Sequence, residues 1–168
     1  SPGLRAMYAT AVWTGLRAGE LCALTLDRVD MTRRIITVAA SWDQPYTKSN
    51  RVRHVPILDA AKVELVPWLE ERAKLWPDTA LLFPNERGKM HFDASARPMA
   101  LIFHACLAKA KLPRMGFHAL RHTFASHWVM SGGDIFKLNR ILGHSDMKLT
   151  MRYAHLAPNA YASDLSRL

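Results

Sequence analysis

A mainly helical domain carrying one small three-stranded antiparallel β-sheet, an α+β arrangement, is what this sequence predicts. Three observations lead there. Apolar residues recur at helical spacing through most of the chain. The period changes only between residues 29 and 57, where short β-branched runs follow one another. The length of 168 residues, 49% of them apolar, suits a single domain with a full hydrophobic core. No internal repeat, low-complexity stretch or linker divides it, so residues 1–168 are read as one domain.

Pro2 to Leu26 reads as helix broken near Gly15, with Leu4, Met7, Tyr8, Ala11 and Val12 on one stripe and a second helix from Ala18. Val29 to Met31, Ile35 to Val38 and Val52 to Ile57 read as strands. Thr32 to Arg34 turns between the first two, and Ala39 to Arg51 is a longer connection to the third. Pro56 suits the end of an edge strand. Ala60 to Lys74 reads as a helix interrupted or restarted at Pro67, which lacks a backbone donor. Leu81 to Phe83 is a brief extended piece, and Ser95 to Lys111 is helical. Phe117 to Met130 is the clearest helix: Phe117, Leu120, Phe124 and Trp128 form a stripe, with His118, Arg121 and His122 beside it. Ser131 to Asp134 ends that helix and caps the next, Ile135 to Leu142, which Gly143 stops. Ser145 or Asp146 caps the segment that carries Tyr153.

Lys and Arg number 23 against 14 Asp and Glu, a formal charge of +9. Such a surplus suits a polyanionic partner, with a merely basic soluble surface as the alternative. The basic residues do not gather on one amphipathic helix, which argues against a membrane surface. No signal peptide and no apolar run long enough to span a bilayer is visible. Cys22 and Cys106 lie far apart without a C-x-x-C partner and read as reduced thiols of a cytosolic chain. The chain starts Ser-Pro-Gly without Met and reads as an excised piece.

Four short motifs carry chemistry. T-G-L-R-A-G-E-L (Thr14 to Leu21) presents Arg17, with Glu20 three residues on and able to orient the guanidinium; a plain surface ion pair is the competing reading. H-A-L-R-H (His118 to His122) puts His118 and Arg121 at i, i+3, where they repel each other unless an anion sits between them. The same motif is an H-x-x-x-H pattern, but Ala119 stands where a zinc protease needs glutamate and no third ligand is evident, so no metal site is expected. L-G-H-S (Leu142 to Ser145) places His144 at a helix end, as a ligand contact or a capping group. M-R-Y-A-H (Met151 to His155) holds Tyr153, otherwise an ordinary half-buried tyrosine.

Two arginines can hold one phosphate, two histidines can move protons near neutral pH, and a tyrosine can supply a nucleophilic oxygen. In this order along residues 14 to 155, the motifs resemble the catalytic domain of the tyrosine recombinases, the family of phage integrases. The resemblance implies that family's catalytic-domain fold and site-specific recombination through a 3′-phosphotyrosine, without metal, ATP or other cofactor. It implies Tyr153 as nucleophile, Arg17 and Arg121 on the phosphate, His118 as acceptor of the tyrosine proton and His144 as a hydrogen-bonding partner of the phosphate. In T-K-S-N-R-V-R-H-V-P-I (Thr47 to Ile57) it picks out Lys48, otherwise a plain loop lysine, as general acid for the leaving 5′-oxygen. Glu20 and His122 are expected as supporting residues. Arg51, Arg53 and Arg152 are expected as DNA contacts, with a structural role open for Arg51 and Arg53. The implied partners are double-stranded DNA and, in the full-length protein, three further copies in a tetramer; this piece alone is expected to be monomeric. A further DNA-binding domain N-terminal to it, and a location in the cytoplasm of a bacterium, with the gene bacterial or phage-borne, also follow from the resemblance. A type IB topoisomerase, which rejoins the same strand, and a DNA-binding protein with a dead site are the alternatives; no catalytic residue is missing for the latter.

Overall fold

The computed structural model describes residues 1–41, 52–91 and 97–158. Helix α1 (Pro2–Thr14) starts on Ser1, whose hydroxyl accepts from the Leu4 amide, with Pro2 in the first turn where no donor is needed. It ends at Gly15, which adopts φ +67°. A Cβ there would come within 2.5 Å of the Phe124 ring, so both the backbone conformation and the close approach require glycine. Helix α2 (Ala18–Cys22) follows as a short turn of helix, and a 3-10 turn takes Leu26–Arg28. The second helix therefore stops four residues before Leu26, and residues 26–28 wind more tightly.

The sheet is antiparallel in the order β1 (Val29–Asp30), β2 (Ile35–Val38), β3 (Arg53–Pro56). Ile36 pairs with Val29 on one side and Val55 on the other, while Val38 faces Arg53. Pro56 closes β3, an edge strand, where the missing amide costs no ladder bond. Alternation along β3 sends Arg53 and Val55 inward and His54 outward. Leu81 bridges to Thr25 in the short extended piece.

Helix α3 (Asp59–Leu75) runs through Pro67 without a break. The expected interruption does not occur because Ala61, Leu65, Trp68 and Arg72 are buried along one face, holding both halves to the core. The carbonyl left without its donor belongs to Val63, a residue 69% exposed and open to water. Helices α4 (Arg97–Lys109), α5 (His118–Met130), α6 (Ile135–Leu142) and α7 (Lys148–Met151) follow, and a 3-10 turn over Ala154–Leu156 comes after Tyr153. Asp134 caps α6 by accepting from the Lys137 amide, and Gly143 ends it at φ +66°. Asp146 accepts from the Lys148 amide at the start of α7. Helix α1 is the hub, packed on α3 along one side and on α5 along the other. Met7, Ala11, Leu21, Ile36, Val55, Leu65, Leu138 and Leu142 form the centre of the core. Among the described residues no helix is long and apolar enough to cross a membrane.

Candidate active site

The loop between α1 and α2 positions the first arginine. Arg17 is the N-cap residue of α2; its amide donates to Glu20 Oε2 at 2.9 Å and its guanidinium to Glu20 Oε1 at 2.9 Å. The same carboxylate receives a second guanidinium: Arg53 donates to both of its oxygens, at 2.9 and 2.7 Å, and to the Ile141 carbonyl at 2.8 Å. Glu20 is almost fully buried. Burial pushes its carboxyl up, but the hydrogen bonds and charges of Arg53 and Arg17 outweigh it, and the net displacement is below the usual carboxylate range. Of the two roles open to Arg53, DNA contact or structural, these bonds support the structural one. Arg53 is 8% exposed and holds β3, α2 and the end of α6 together, because strand alternation points it inward. Lys48 and Arg51 lie outside the described residues.

Arg121 is among the largest fully buried side chains of the described residues, 2% exposed. It lies on the same buried face of α5 as Phe124 and Ala125, deeper than a place beside the apolar stripe. One terminal nitrogen donates to the Gly15 carbonyl at 2.7 Å and the other to the Leu142 carbonyl at 2.5 Å. These two carbonyls close α1 and α6, so Arg121 ties two helix ends to α5. Burial first, then the Arg17 charge, presses its pKa down to about 9, which leaves it charged at neutral pH. A guanidinium has five donors, and those not given to carbonyls remain for an anion.

Tyr153 follows α7 directly and is 7% exposed. Its hydroxyl meets His122 Nδ1 at 2.5 Å. His118, expected to take the tyrosine proton, has no such bond to Tyr153; it stands one helical turn back with its ring edge-on to His122, centroids 4.9 Å apart. The difference comes from helix geometry: i, i+4 spacing puts both histidines on one face of α5, and the segment after α7 crosses that face nearer its second turn. Burial raises the Tyr153 pKa, against the pull of Arg152 and Arg121. The His118 and His122 rings are pushed below the ordinary histidine value by burial first and by neighbouring cations second.

His144 sits just beyond Gly143, with Nδ1 2.8 Å from Thr150 Oγ1. Burial, then the charges of Arg121 and Arg17, lower its pKa to about 4. Sequence reasoning did not single out Thr150 or the Asn139 beside it; their spacing from His144, six and five residues, is the only signal that pointed to them. Arg17, Arg121 and Arg152 act on His118 and His144, and Arg152 and Arg121 on Tyr153, so cationic and protonatable groups gather in one place, a setting that suits a phosphate and charge developing on it. Among the described residues no three His, Cys, Asp or Glu side chains gather as a metal site.

Comparison with known proteins shows the family and the fold. A model of the phage integrase family matches residues 3–160. The tyrosine recombinase XerC of Corynebacterium glutamicum is 31% identical over 154 residues, covering 92% of this chain and 46% of the relative. The chain thus spans about half the length of the curated relatives it matches. Among solved structures, the catalytic domain of bacteriophage HP1 integrase superposes with a TM-score of 0.65 at 34% identity, covering 98% of this chain and 81% of that one. The Tn1549 transposon integrase in complex with circular intermediate DNA superposes with a TM-score of 0.73 at 26% identity, covering 96% and 58%.

Proposed function

Because this chain belongs to the phage integrase family and carries the tyrosine recombinase catalytic-domain fold, we propose that it breaks and rejoins double-stranded DNA as the catalytic domain of a site-specific recombinase. One observation carries the reading: a buried tyrosine hydroxyl is hydrogen-bonded to a histidine, with the charges of Arg152 and Arg121 acting on it.

Ionising a tyrosine with a pKa of about 10 at pH 7 costs roughly 4 kcal/mol. The guanidiniums of Arg17 and Arg121 reduce that cost and hold the non-bridging oxygens as charge builds on the five-coordinate phosphorus. Tyr153 Oη bonds to phosphorus while the bond to the 5′-oxygen breaks. The tyrosine proton passes to His122, the base supported by the 2.5 Å contact, with His118 next to it in line. Lys48 protonates the leaving 5′-oxygen, the role the resemblance implies for it. A 5′-hydroxyl from a second duplex then attacks the 3′-phosphotyrosine and reverses the sequence. The bond energy stays in the phosphotyrosine, so neither ATP nor metal enters the scheme. Assembly of four copies on two duplexes is part of the proposal for the whole protein. The relatives reported above are recombinases and integrases, which favours strand exchange over a topoisomerase's rejoining of one strand.

Trapping the covalent intermediate tests this. On a nicked suicide duplex the chain should form a denaturant-resistant adduct in excess chelator, and Tyr153→Phe should form none while still binding DNA. An adduct with Tyr153→Phe assigns the nucleophile elsewhere, and strict dependence on added metal points to a hydrolase.

A further inference from the structure

The surroundings of His144 determine where its proton sits. Asn139 Nδ2 donates to the His144 carbonyl at 3.3 Å, which turns Asn139 Oδ1 toward Thr150. The fully buried Thr150 hydroxyl donates to that oxygen at 2.6 Å. An amide oxygen only accepts, and a hydroxyl has one proton. With that proton given to Asn139, Thr150 Oγ1 can meet His144 Nδ1, 2.8 Å away, only as an acceptor. The neutral ring therefore carries its hydrogen on Nδ1 and a bare lone pair on Nε2.

We propose that Asn139 and Thr150 are positioning residues that hold neutral His144 as the Nδ1–H tautomer, so that its Nε2 can donate to the scissile phosphate only after the ring takes up a proton. The phosphate step rests on the function proposed above; the tautomer does not. The groups facing His144 are Arg121 and His118 from α5, Arg17 from the α1–α2 loop and Arg152 after α7. All repel a charged imidazolium, and with burial they keep the ring neutral in the free protein. An entering phosphate reverses that local field. Nε2 then gains its hydrogen at the stage when the phosphorus is about to carry additional charge.

The tautomer is read from long-range ¹H–¹⁵N correlation of histidine-labelled chain at pH 7, with His144 assigned by its loss in His144→Gln. Wild type and Thr150→Ser should show Nδ1–H. Thr150→Val removes the acceptor and should shift His144 to Nε2–H, the form free imidazole favours in water. Asn139→Ala, at a half-buried position, frees the Thr150 proton to turn toward Nδ1 and should give a mixture, so the test survives if the valine variant does not fold. Nε2–H in the wild type overturns the proposal. The second readout is the rate of adduct formation against pH. Wild type needs the imidazolium, so this requirement costs about tenfold per pH unit above the DNA-bound pKa. Thr150→Val already presents Nε2–H, so its rate relative to wild type should climb with pH, and Thr150→Ser should restore the wild-type profile. A ratio that stays constant with pH makes Thr150 a packing residue and overturns the proposal. Absence of any adduct in the wild type overturns the recombinase reading and the phosphate step with it, and the tautomer measurement still decides the role of Asn139 and Thr150.

Discussion

Glu20 shows how one side chain can serve site and fold together. It is a buried carboxylate between two guanidiniums: Arg17, part-exposed, and Arg53, buried and reaching in from the sheet. Breaking a buried pair by removing one partner leaves an uncompensated charge, at a cost of about 3–5 kcal/mol. Glu20→Ala should therefore lower unfolding stability by about that much in chemical denaturation, with Arg53 as the stranded charge. Arg53→Ala should destabilise similarly, yet leave the Arg17–Glu20 contact in place, so its adduct rate should fall less than that of Glu20→Ala. Equal losses of activity in the two variants would mean that Glu20 acts only through stability. Arg17 and Glu20 were visible in the sequence as an i, i+3 pair. The third member was not, since an arginine 33 residues away, on a strand, has no sequence signal linking it to either.

At the scale of elements, the site is built from helix ends. Gly15 after α1, Leu142 at the end of α6 and the residues after α7 all meet α5, and Arg121 bonds the first two through their carbonyls. Gly15 lets α1 end there: its φ of +67° strains any side chain, and a Cβ would lie 2.5 Å from Phe124 and 2.9 Å from Leu142. Gly15→Ala should destabilise the protein by about 1–3 kcal/mol. It should also depress adduct formation more than DNA binding, because the Gly15 carbonyl that holds Arg121 moves with the strained turn. Thermal unfolding paired with adduct rate and affinity checks this; a stability loss with unchanged cleavage would make the Arg121 contact incidental to catalysis. The helices themselves were legible in the sequence from periodicity, and α6 matches its expected bounds because Asp134 and Gly143 are strong local stop signals. Helix α3 was legible except at Pro67, where packing on both sides overrides a local rule.

The whole molecule gathers positive charge and then buries part of it. His91, His118, His122 and His144 all have pKa values pressed below the ordinary 6.5 by burial first, His144 to about 4. Below pH 6.5 the unfolded chain binds protons that the folded chain resists, so the stability these rings contribute is complete above 6.5 and is lost as pH falls toward 4. Glu20 acts in the same sense but lower, its stabilisation present above pH 4.5 and lost as pH falls through its depressed value. Free protein should therefore lose on the order of 1 kcal/mol or more between pH 7 and pH 5 in denaturation experiments, and His144→Gln should reduce the loss. A flat profile across that window would mean that the histidines are not held neutral. Duplex DNA should diminish the acid sensitivity, and with a charge of +9 its binding should weaken steeply with salt.

The amino-acid sequence by itself determined the α+β class, the order of elements and the motifs that carry Arg17, His118, Arg121, His144 and Tyr153, because periodicity, caps and short motifs are local properties of the chain. The tertiary structure decided which of those groups touch. It set His122 rather than His118 against Tyr153, buried Arg53 in a pair with Glu20, and placed Asn139 and Thr150 behind His144. Such contacts depend on how the turn after α7 meets α5 and on the face of β3 that packs against α6. Both are settled by how the core fills its volume, a property of all the elements at once that no single stretch of sequence contains.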